Sequence, residues 1–316
     1  FIGNAKRAGR PFFAVVWFGS PHEPYSGLEE DLALYDDLPK SYQERSVKLT
    51  SMETGRPVTR PLREVLRERY AEITAMDRAM GTLRDYLDDE GLRPNTLLWY
   101  CGDNGTPPSG AVTVPFRGLK GAVYEGGVRV PGIIEWPARI PKPRVTDVNS
   151  VTSDILPTLC DLAGQSLPNR PLDGISLKRV IDGEMIERPQ PICFWNYNTG
   201  GESKGEPYID AVLQEGTTPL VKQMGGRLTR NFKNFHHLAI TEPDFAGPRA
   251  ILDNRYKLVV EGRRGSKSAE LFDVRDDPAE EKNLIESQPE VASKLKLQLR
   301  EWQESVLDSL TGGDYR

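Results

Sequence analysis

The stretch Thr96-Leu97-Leu98-Trp99-Tyr100, followed at once by Cys101-Gly102-Asp103-Asn104-Gly105, reads as a buried strand that runs into a sharp, oxygen-rich turn. Upstream of it, Leu62, Leu66, Ile73, Met76, Met80, Leu83 and Leu87 recur at steps that add threes and fours, with charged residues between them. That period predicts a long amphipathic helix, with Pro61 at its first position and Gly91 at its C-terminal stop. Before the helix, Phe12-Phe13-Ala14-Val15-Val16-Trp17-Phe18, closed by Gly19 and Pro21, reads as another fully buried strand. Strand, helix, strand is the order of an α/β fold.

Working outward, residues 28–60 mix acidic residues with Pro39, Gly55 and Pro57 and show no sustained period, so they read as an irregular surface insertion. A third strand is expected over 128–135, ended by Pro137. A helix is expected over 153–163, stopping at Gly164, with Pro157 either kinking it or falling in its first turn. Beyond about residue 185 the pattern breaks into strand-like pieces at 192–197, 208–213, 256–261 and 270–273, for which antiparallel pairing is the simplest reading. The tail from Pro289 to Leu310 carries Val291, Leu295, Leu299, Trp302, Val306 and Leu310 at helical spacing, enough to pack one face on that sheet. Two domains are expected, 1–185 and 186–316.

Composition narrows the function. With 41 Lys and Arg against 46 Asp and Glu in 316 residues, the net charge of -5 offers no positive field for phosphate backbones, so a general nucleic-acid binder is excluded. The longest apolar run has seven residues, far short of the roughly 20 needed for a membrane-spanning helix. Cys101, Cys160 and Cys193 close one disulfide at most, which rules out a disulfide scaffold.

Ligands of open α/β sheets collect beyond the carboxyl ends of the strands. After the first strand comes Ser20-Pro21-His22-Glu23-Pro24-Tyr25, which sets one of three histidines in a proline-braced loop, either positioned for chemistry at the strand end or capping the loop through backbone hydrogen bonds. After the second come Asp103 and Asn104, hard oxygen donors suited to half a calcium or magnesium site, although Asp-Asn-Gly also makes an ordinary turn. In Arg117-Gly118-Leu119-Lys120-Gly121, flexible glycines would let the Lys120 ammonium approach an oxyanion; a solvated basic loop is the alternative. His236 and His237 are adjacent, so in a strand they face opposite ways and share no ligand.

Taken in order, four blocks resemble the type I sulfatases. They are 11–13 through Pro21-His22-Glu23-Pro24-Tyr25, then Tyr70-Ala71-Glu72-Ile73 with Met76-Asp77, then Gly102-Asp103-Asn104-Gly105, then Gly118-Leu119-Lys120-Gly121 through Tyr124-Glu125-Gly126-Gly127. Ser153-Asp154-Ile155-Leu156-Pro157-Thr158-Leu159, Leu172-Asp173-Gly174-Ile175-Ser176-Leu177 and Glu270-Leu271-Phe272-Asp273 with Asp277-Pro278 and Asn283-Leu284 look like the same family's later blocks. The resemblance implies an alkaline-phosphatase-like α/β domain, a mixed sheet flanked by helices, with a smaller C-terminal antiparallel sheet and packed terminal helix. It also implies Ca2+, with Mg2+ as substitute, at Asp103 and Asn104, sulfate contact from Lys120, and His22 as proton donor to the leaving group.

The family's nucleophile is a formylglycine made from Cys or Ser in a Cys/Ser-x-Pro/Ala-x-Arg motif. The expectation is that this chain carries no such motif, since Cys101, Cys160 and Cys193 all stand in other contexts. The resemblance puts that motif, an Asp-Asp metal pair and a following Lys and His upstream of Phe12. The expectation is therefore the C-terminal portion of a sulfatase, inactive alone, with the nucleophile on an absent N-terminal segment. A phosphatase or phosphonate monoester hydrolase of the same superfamily, and a non-catalytic chain that binds sulfated glycans, remain open. Trp195, Tyr197 and Tyr208 among Gly and Asn suit stacking on sugar rings and favour a sulfated carbohydrate. The single Asn-x-Ser/Thr sequon, at Asn104, would block the metal ligand if glycosylated, which favours a bacterial periplasmic or extracellular location over a lysosomal one.

Overall fold

The computed structural model describes residues 1–51, 54, 56–108, 114–197, 240–261 and 269–315. They form two units: Phe1–Leu98 with Glu135–Ala138, and the remaining described residues.

In the first unit a short helix, α1 (Ile2–Arg7), precedes an extended segment over 11–19. This segment corrects the expected buried strand: Phe13 is 63% and Trp17 91% exposed, and no described strand pairs with it. A run apolar on both faces is buried only when strands flank it and helices cover it, and the described residues supply neither. Residues 28–60 are more regular than expected. They hold α2 (Glu29–Ala33) and an antiparallel hairpin of β1 (Ser46–Thr50) with β2 (Pro57–Pro61). Both strands are edges, so the missing N–H groups of Pro57 and Pro61 cost no central ladder bond.

Helix α3 (Leu62–Asp89) follows the predicted period, with Pro61 as its N-cap one position before the expected place. It buries Leu62, Val65, Leu66, Ala71, Met76 and Leu87, and the chain leaves it through Gly91 at φ +64. Arg78 clamps Asp31 of α2 through two bonds of 2.8 and 2.9 Å, and the guanidinium holds that carboxyl below its ordinary range.

Strands β3 (Leu98–Cys101) and β4 (Gly132–Glu135), of which Trp99–Cys101 and Gly132–Ile134 belong to the second unit, pair with each other. The expected strand start at Val128 is instead the end of a single helical turn, α4 (Glu125–Val128). Helix α5 (Ile155–Ala163) carries buried Pro157 in its first turn, where no intrahelical N–H is needed, and stops at Gly164 in the left-handed region. Just before it, Asp154 is fully buried and accepts from Val151 N, Ile175 N and both terminal nitrogens of buried Arg188. Thr158 Oγ1 accepts from Leu177 N, just before α6 (Lys178–Ile181). The two later sequence blocks are thus a structural lock.

The expected antiparallel sheet is present as β5 (Ile192–Trp195), β6 (Arg249–Asp253), β7 (Tyr256–Val260) and β8 (Ala269–Asp273), side by side in that order. Strand β6 escaped the sequence reading; the strand expected at 208–213 lies outside the described residues. Alternation splits the sheet's two faces. Ile251, Leu258 and Leu271 pack on Ala292, Leu295 and Leu299 of the last helix, α7 (Pro289–Leu310), as predicted. Ala250, Val259 and Phe272 face the other way, onto Val123 and Tyr124. That second contact places the Lys120 loop.

Candidate functional site

Strand β3 ends at Cys101 and delivers Asp103, exposed, and Asn104, half-buried. The next residues are bonded to the glycine turn at α4: Gly105 N donates to Gly127 O at 2.9 Å and Thr106 N to Gly126 O at 3.1 Å. Lys120 N in turn donates to Thr106 O at 2.7 Å. Asp103, Asn104 and Lys120 therefore stand on directly bonded segments. The packing requires glycine at two points: a Cβ on Gly105 would lie 2.2 Å from Gly126 O, and one on Gly127 would lie 2.1 Å from Ala122 O. At these two positions, close approach rather than flexibility is what the glycines supply.

Arg117, three residues before Lys120, forks onto Glu270 of β8 at 3.0 and 3.1 Å and lies 4.1 Å above the Tyr124 ring. Burial, then the Glu270 carboxylate, push the Tyr124 hydroxyl far above its ordinary range, so it is a donor at any physiological pH.

Among the described residues the Asp103 carboxylate, the Asn104 amide and the exposed Lys120 ammonium have no hydrogen-bond or ion-pair partner. The Cys101 thiol is raised by burial and then by the negative charge of Asp103. Two neighbouring oxygen donors fit a hard cation, but calcium takes about six to eight, and no cluster of three or more His, Cys, Asp or Glu able to hold an ion occurs among the described residues. The donor set fits half a site.

His22 belongs to the first unit. Its loop has cis peptides at Ser20-Pro21 and Glu23-Pro24, and His22 N donates to Gly19 O at 3.0 Å. The ring Nδ1 lies 2.7 Å from Glu23 O; a carbonyl only accepts, so Nδ1 carries hydrogen and Nε2 remains for other work. The loop is tied down by Ser26 N donating to Glu72 Oε1 at 2.9 Å and Thr50 N to Glu23 Oε2 at 3.2 Å. Glu72 lines a cavity of about 300 Å³ with Ser20, Ser26, Asp31 and Ala71, and burial raises its carboxyl. The helical pattern gave no sign of this role, because Glu72 stands where α3 alternates charged and apolar residues.

Of the aromatic candidates, Trp195 and Tyr197 lie with ring centroids 4.8 Å apart, and Asn196 Nδ2 between them donates to Gly121 O at 3.3 Å, beside Lys120. Tyr208, His236 and His237 lie outside the described residues. The letters of the formylglycine pattern do occur once, as Ser166-Leu167-Pro168-Asn169-Arg170, which corrects the expectation that the chain carries no such motif. That segment is an exposed loop after α5, out of the family's order. Gly201-Glu202-Ser203-Lys204-Gly205 likewise spells a nucleophile elbow, outside the described residues.

Residues 1–165 match the family model described as Sulfatase. The chain belongs to the sulfatase family. It is 33% identical to human arylsulfatase A over 198 residues, 61% of this chain and 33% of the relative. To the endo-4-O-sulfatase of Bacteroides thetaiotaomicron it is 26% identical over 304 residues, 93% of this chain and 51% of the relative. Among solved structures it resembles Ps i-CgsB in complex with k-i-k-neocarrahexaose, with a TM-score of 0.68 at 20% identity, over 96% of this chain and 52% of that one. The fold is thus the sulfatase α/β fold of the alkaline phosphatase superfamily. Phosphonate monoester hydrolase of Agrobacterium radiobacter shares it at a TM-score of 0.50 and 21% identity, over 77% of this chain and 42% of that one, so fold alone does not separate sulfuryl from phosphoryl chemistry. This sulfatase chain spans a third to about half of the length of these relatives. Among its described residues, no helix is long and apolar enough to cross a membrane.

Proposed function

We propose that the protein containing this chain hydrolyses a sulfuric ester of a carbohydrate, with Lys120 binding the sulfuryl oxygens and His22 protonating the leaving oxygen. The observation that supports this reading is the backbone bonding that ties the segment of Lys120 to that of Asp103 and Asn104, three side chains with no partner among the described residues. Asp103 and Asn104 would hold Ca2+, or Mg2+ in its place, whose charge offsets that of the sulfuryl group. The Lys120 ammonium adds positive charge fixed before the substrate arrives, so no reorganisation is needed as charge builds in the transition state. His22, with Nδ1 bonded to Glu23 O, has Nε2 to deliver a proton, which spares a sugar from leaving as a bare alkoxide. The nucleophile, a formylglycine, belongs in this proposal to a segment outside this chain.

A carbohydrate substrate is supported by the Trp195–Tyr197 pair beside Gly121, by the name of the Bacteroides endo-4-O-sulfatase and by the neocarrahexaose complex of Ps i-CgsB. An exported bacterial protein, periplasmic or extracellular, fits a sequon that coincides with the Asn104 ligand.

The test is steady-state kcat/KM of the full-length protein on a sugar sulfate and on a nitrophenyl sulfate. His22→Ala should slow the sugar sulfate by about 10²- to 10⁴-fold and the activated aryl ester far less, because a nitrophenolate leaves without a proton. Lys120→Ala should weaken both alike. Equal losses in His22→Ala would remove His22 as the acid, and faster turnover of phosphonate or phosphate esters by the unaltered protein would replace the sulfatase reading. A full-length gene that encodes no formylglycine motif would leave sulfated-glycan binding.

A further inference from the structure

Lys257, the second residue of β7, is 0% exposed, and a lysine is almost never that deep unless its charge is matched. Its Nζ lies 2.8 Å from Glu125 Oε1 and 3.1 Å from Glu280 Oε1, the latter as an ion pair without hydrogen-bond alignment. Glu125 is the first residue of α4; Glu280 follows β8 and holds φ at +55, a left-handed backbone rare for a side-chain-bearing residue. Glu280 Oε2 also accepts from Glu125 N at 2.7 Å. The two residues after Glu125 are Gly126 and Gly127, whose carbonyls take the amides of Thr106 and Gly105. Thr106 O then takes the amide of Lys120. A continuous path of ion pairs and hydrogen bonds runs from a sheet lysine to both halves of the candidate site, and none of its three charged residues touches that site.

We propose that Lys257, with Glu125 and Glu280, is a positioning device that fixes the Glu125–Gly127 turn and through it the mutual placement of Asp103, Asn104 and Lys120. Hydrophobic contact alone holds the turn less exactly. Val123 and Tyr124 pack on the sheet over apolar surface, which is non-directional, whereas two carboxylates on one ammonium fix position and rotation together. A charge buried this way gives little net stability, because desolvation offsets most of the Coulomb gain. Placement is what it contributes.

The proposal rests on the functional reading above only where turnover is measured, so the experiment has an arm independent of it. In the full-length protein, Lys257→Met keeps the length of the side chain and removes the charge, and Glu280→Gln keeps the shape of the other partner. Native-state hydrogen exchange should show the Gly105, Thr106 and Lys120 amides accelerated in both variants by at least about tenfold beyond any acceleration of the Leu258 and Leu271 amides of the sheet. Where sulfatase activity is present, kcat/KM measured well below the variants' lowered melting temperatures should fall by about 10²-fold, the loss expected for a misplacement of 1 Å. Exchange at Gly105, Thr106 and Lys120 equal to that of the unaltered protein would overturn the proposal, whatever the activity. If Lys257→Met does not fold, Glu280→Gln carries the same expectation. If neither folds, the triad is a requirement of the sheet and the positioning role is refuted. An unaltered protein without sulfatase activity would defeat the functional reading and leave the exchange result to decide this one.

Discussion

Replacing Asp154 by alanine should open the segment that joins α5 to α6 without unfolding the C-terminal sheet. Asp154 is fully buried and each of its oxygens has two donors: Val151 N and Arg188 Nη1 on Oδ2, Ile175 N and Arg188 Nη2 on Oδ1, all within 2.9 Å. The variant leaves the Arg188 side chain, 1% exposed, as an uncompensated charge, and breaking a buried pair from one side costs about 3–5 kcal/mol. The two stranded amides add to this, but water entering the opened lock satisfies them, so about 3–5 kcal/mol is the expected total. At about 1.4 kcal/mol per factor of ten, the Ile175 and Leu177 amides should exchange about 10²- to 4 × 10³-fold faster. Hydrogen exchange resolved by residue on the full-length protein reads this directly. Pairing Asp154→Leu with Arg188→Met should recover most of the loss, since apolar groups of similar volume replace a buried pair at little cost. An Asp154→Ala protein whose Ile175 and Leu177 amides exchange as before would refute the reasoning, because it would mean that the buried guanidinium finds another partner.

The clamp of Arg78 on Asp31 carries a pH signature. Arg78 lowers the folded Asp31 carboxyl below its ordinary value, so its stabilisation is complete above the unfolded value and is lost as pH falls through the lowered folded one. The stability gap between the unaltered protein and Arg78→Ala should therefore be constant from pH 5 to 7 by thermal melting and close below about pH 4; a gap that widens in acid would contradict the assignment. Cys193 offers a second check: burial, then Asp173, push its thiol up to about 12, leaving about one thiolate in 10⁴ at pH 8. Its reaction with a disulfide reagent at pH 8 should await unfolding, and labelling of the native protein at Cys193 within minutes would refute the burial.

The long helices were legible because a period sustained over many turns overrides single residues: α3 and α7 fall where the spacing of Leu62, Leu66 and Met76, and of Leu295 and Leu299, puts them. Strand β6 carries the same signal as its neighbours in Ala250-Ile251-Leu252, but the arginine before it and Asp253-Asn254 after it look like loop. The segment at Phe12–Phe18 shows the opposite failure. Its composition is that of a buried strand, and burial depends on neighbours that composition does not reveal. Asp103, Asn104 and Lys120 were accessible from local sequence, since two follow a strand end and the third lies among glycines. Lys257, Glu125 and Glu280 were not: Lys257 is 132 positions from Glu125, and Glu280 is 155, so no local pattern links them.

How this fold uses its charges separates scaffold from site. Asp154 with Arg188, and Lys257 with Glu125 and Glu280, are buried and matched, and their work is internal. Asp103 and Lys120 are opposite charges on segments bonded to each other through Thr106, yet among the described residues they form no ion pair, and both are exposed. Had they paired, each would neutralise the other and neither would attract a ligand at close range. Each is thus left as an open pole, negative at Asp103 and positive at Lys120. In the function proposed above, a cation would sit at Asp103 and Asn104 and an anionic group at Lys120, the charge pattern of a metal-bound sulfate ester. The backbone lattice of Gly105, Gly126 and Gly127 fixes the spacing between the poles before any ligand arrives, so binding would not have to bear the cost of arranging them.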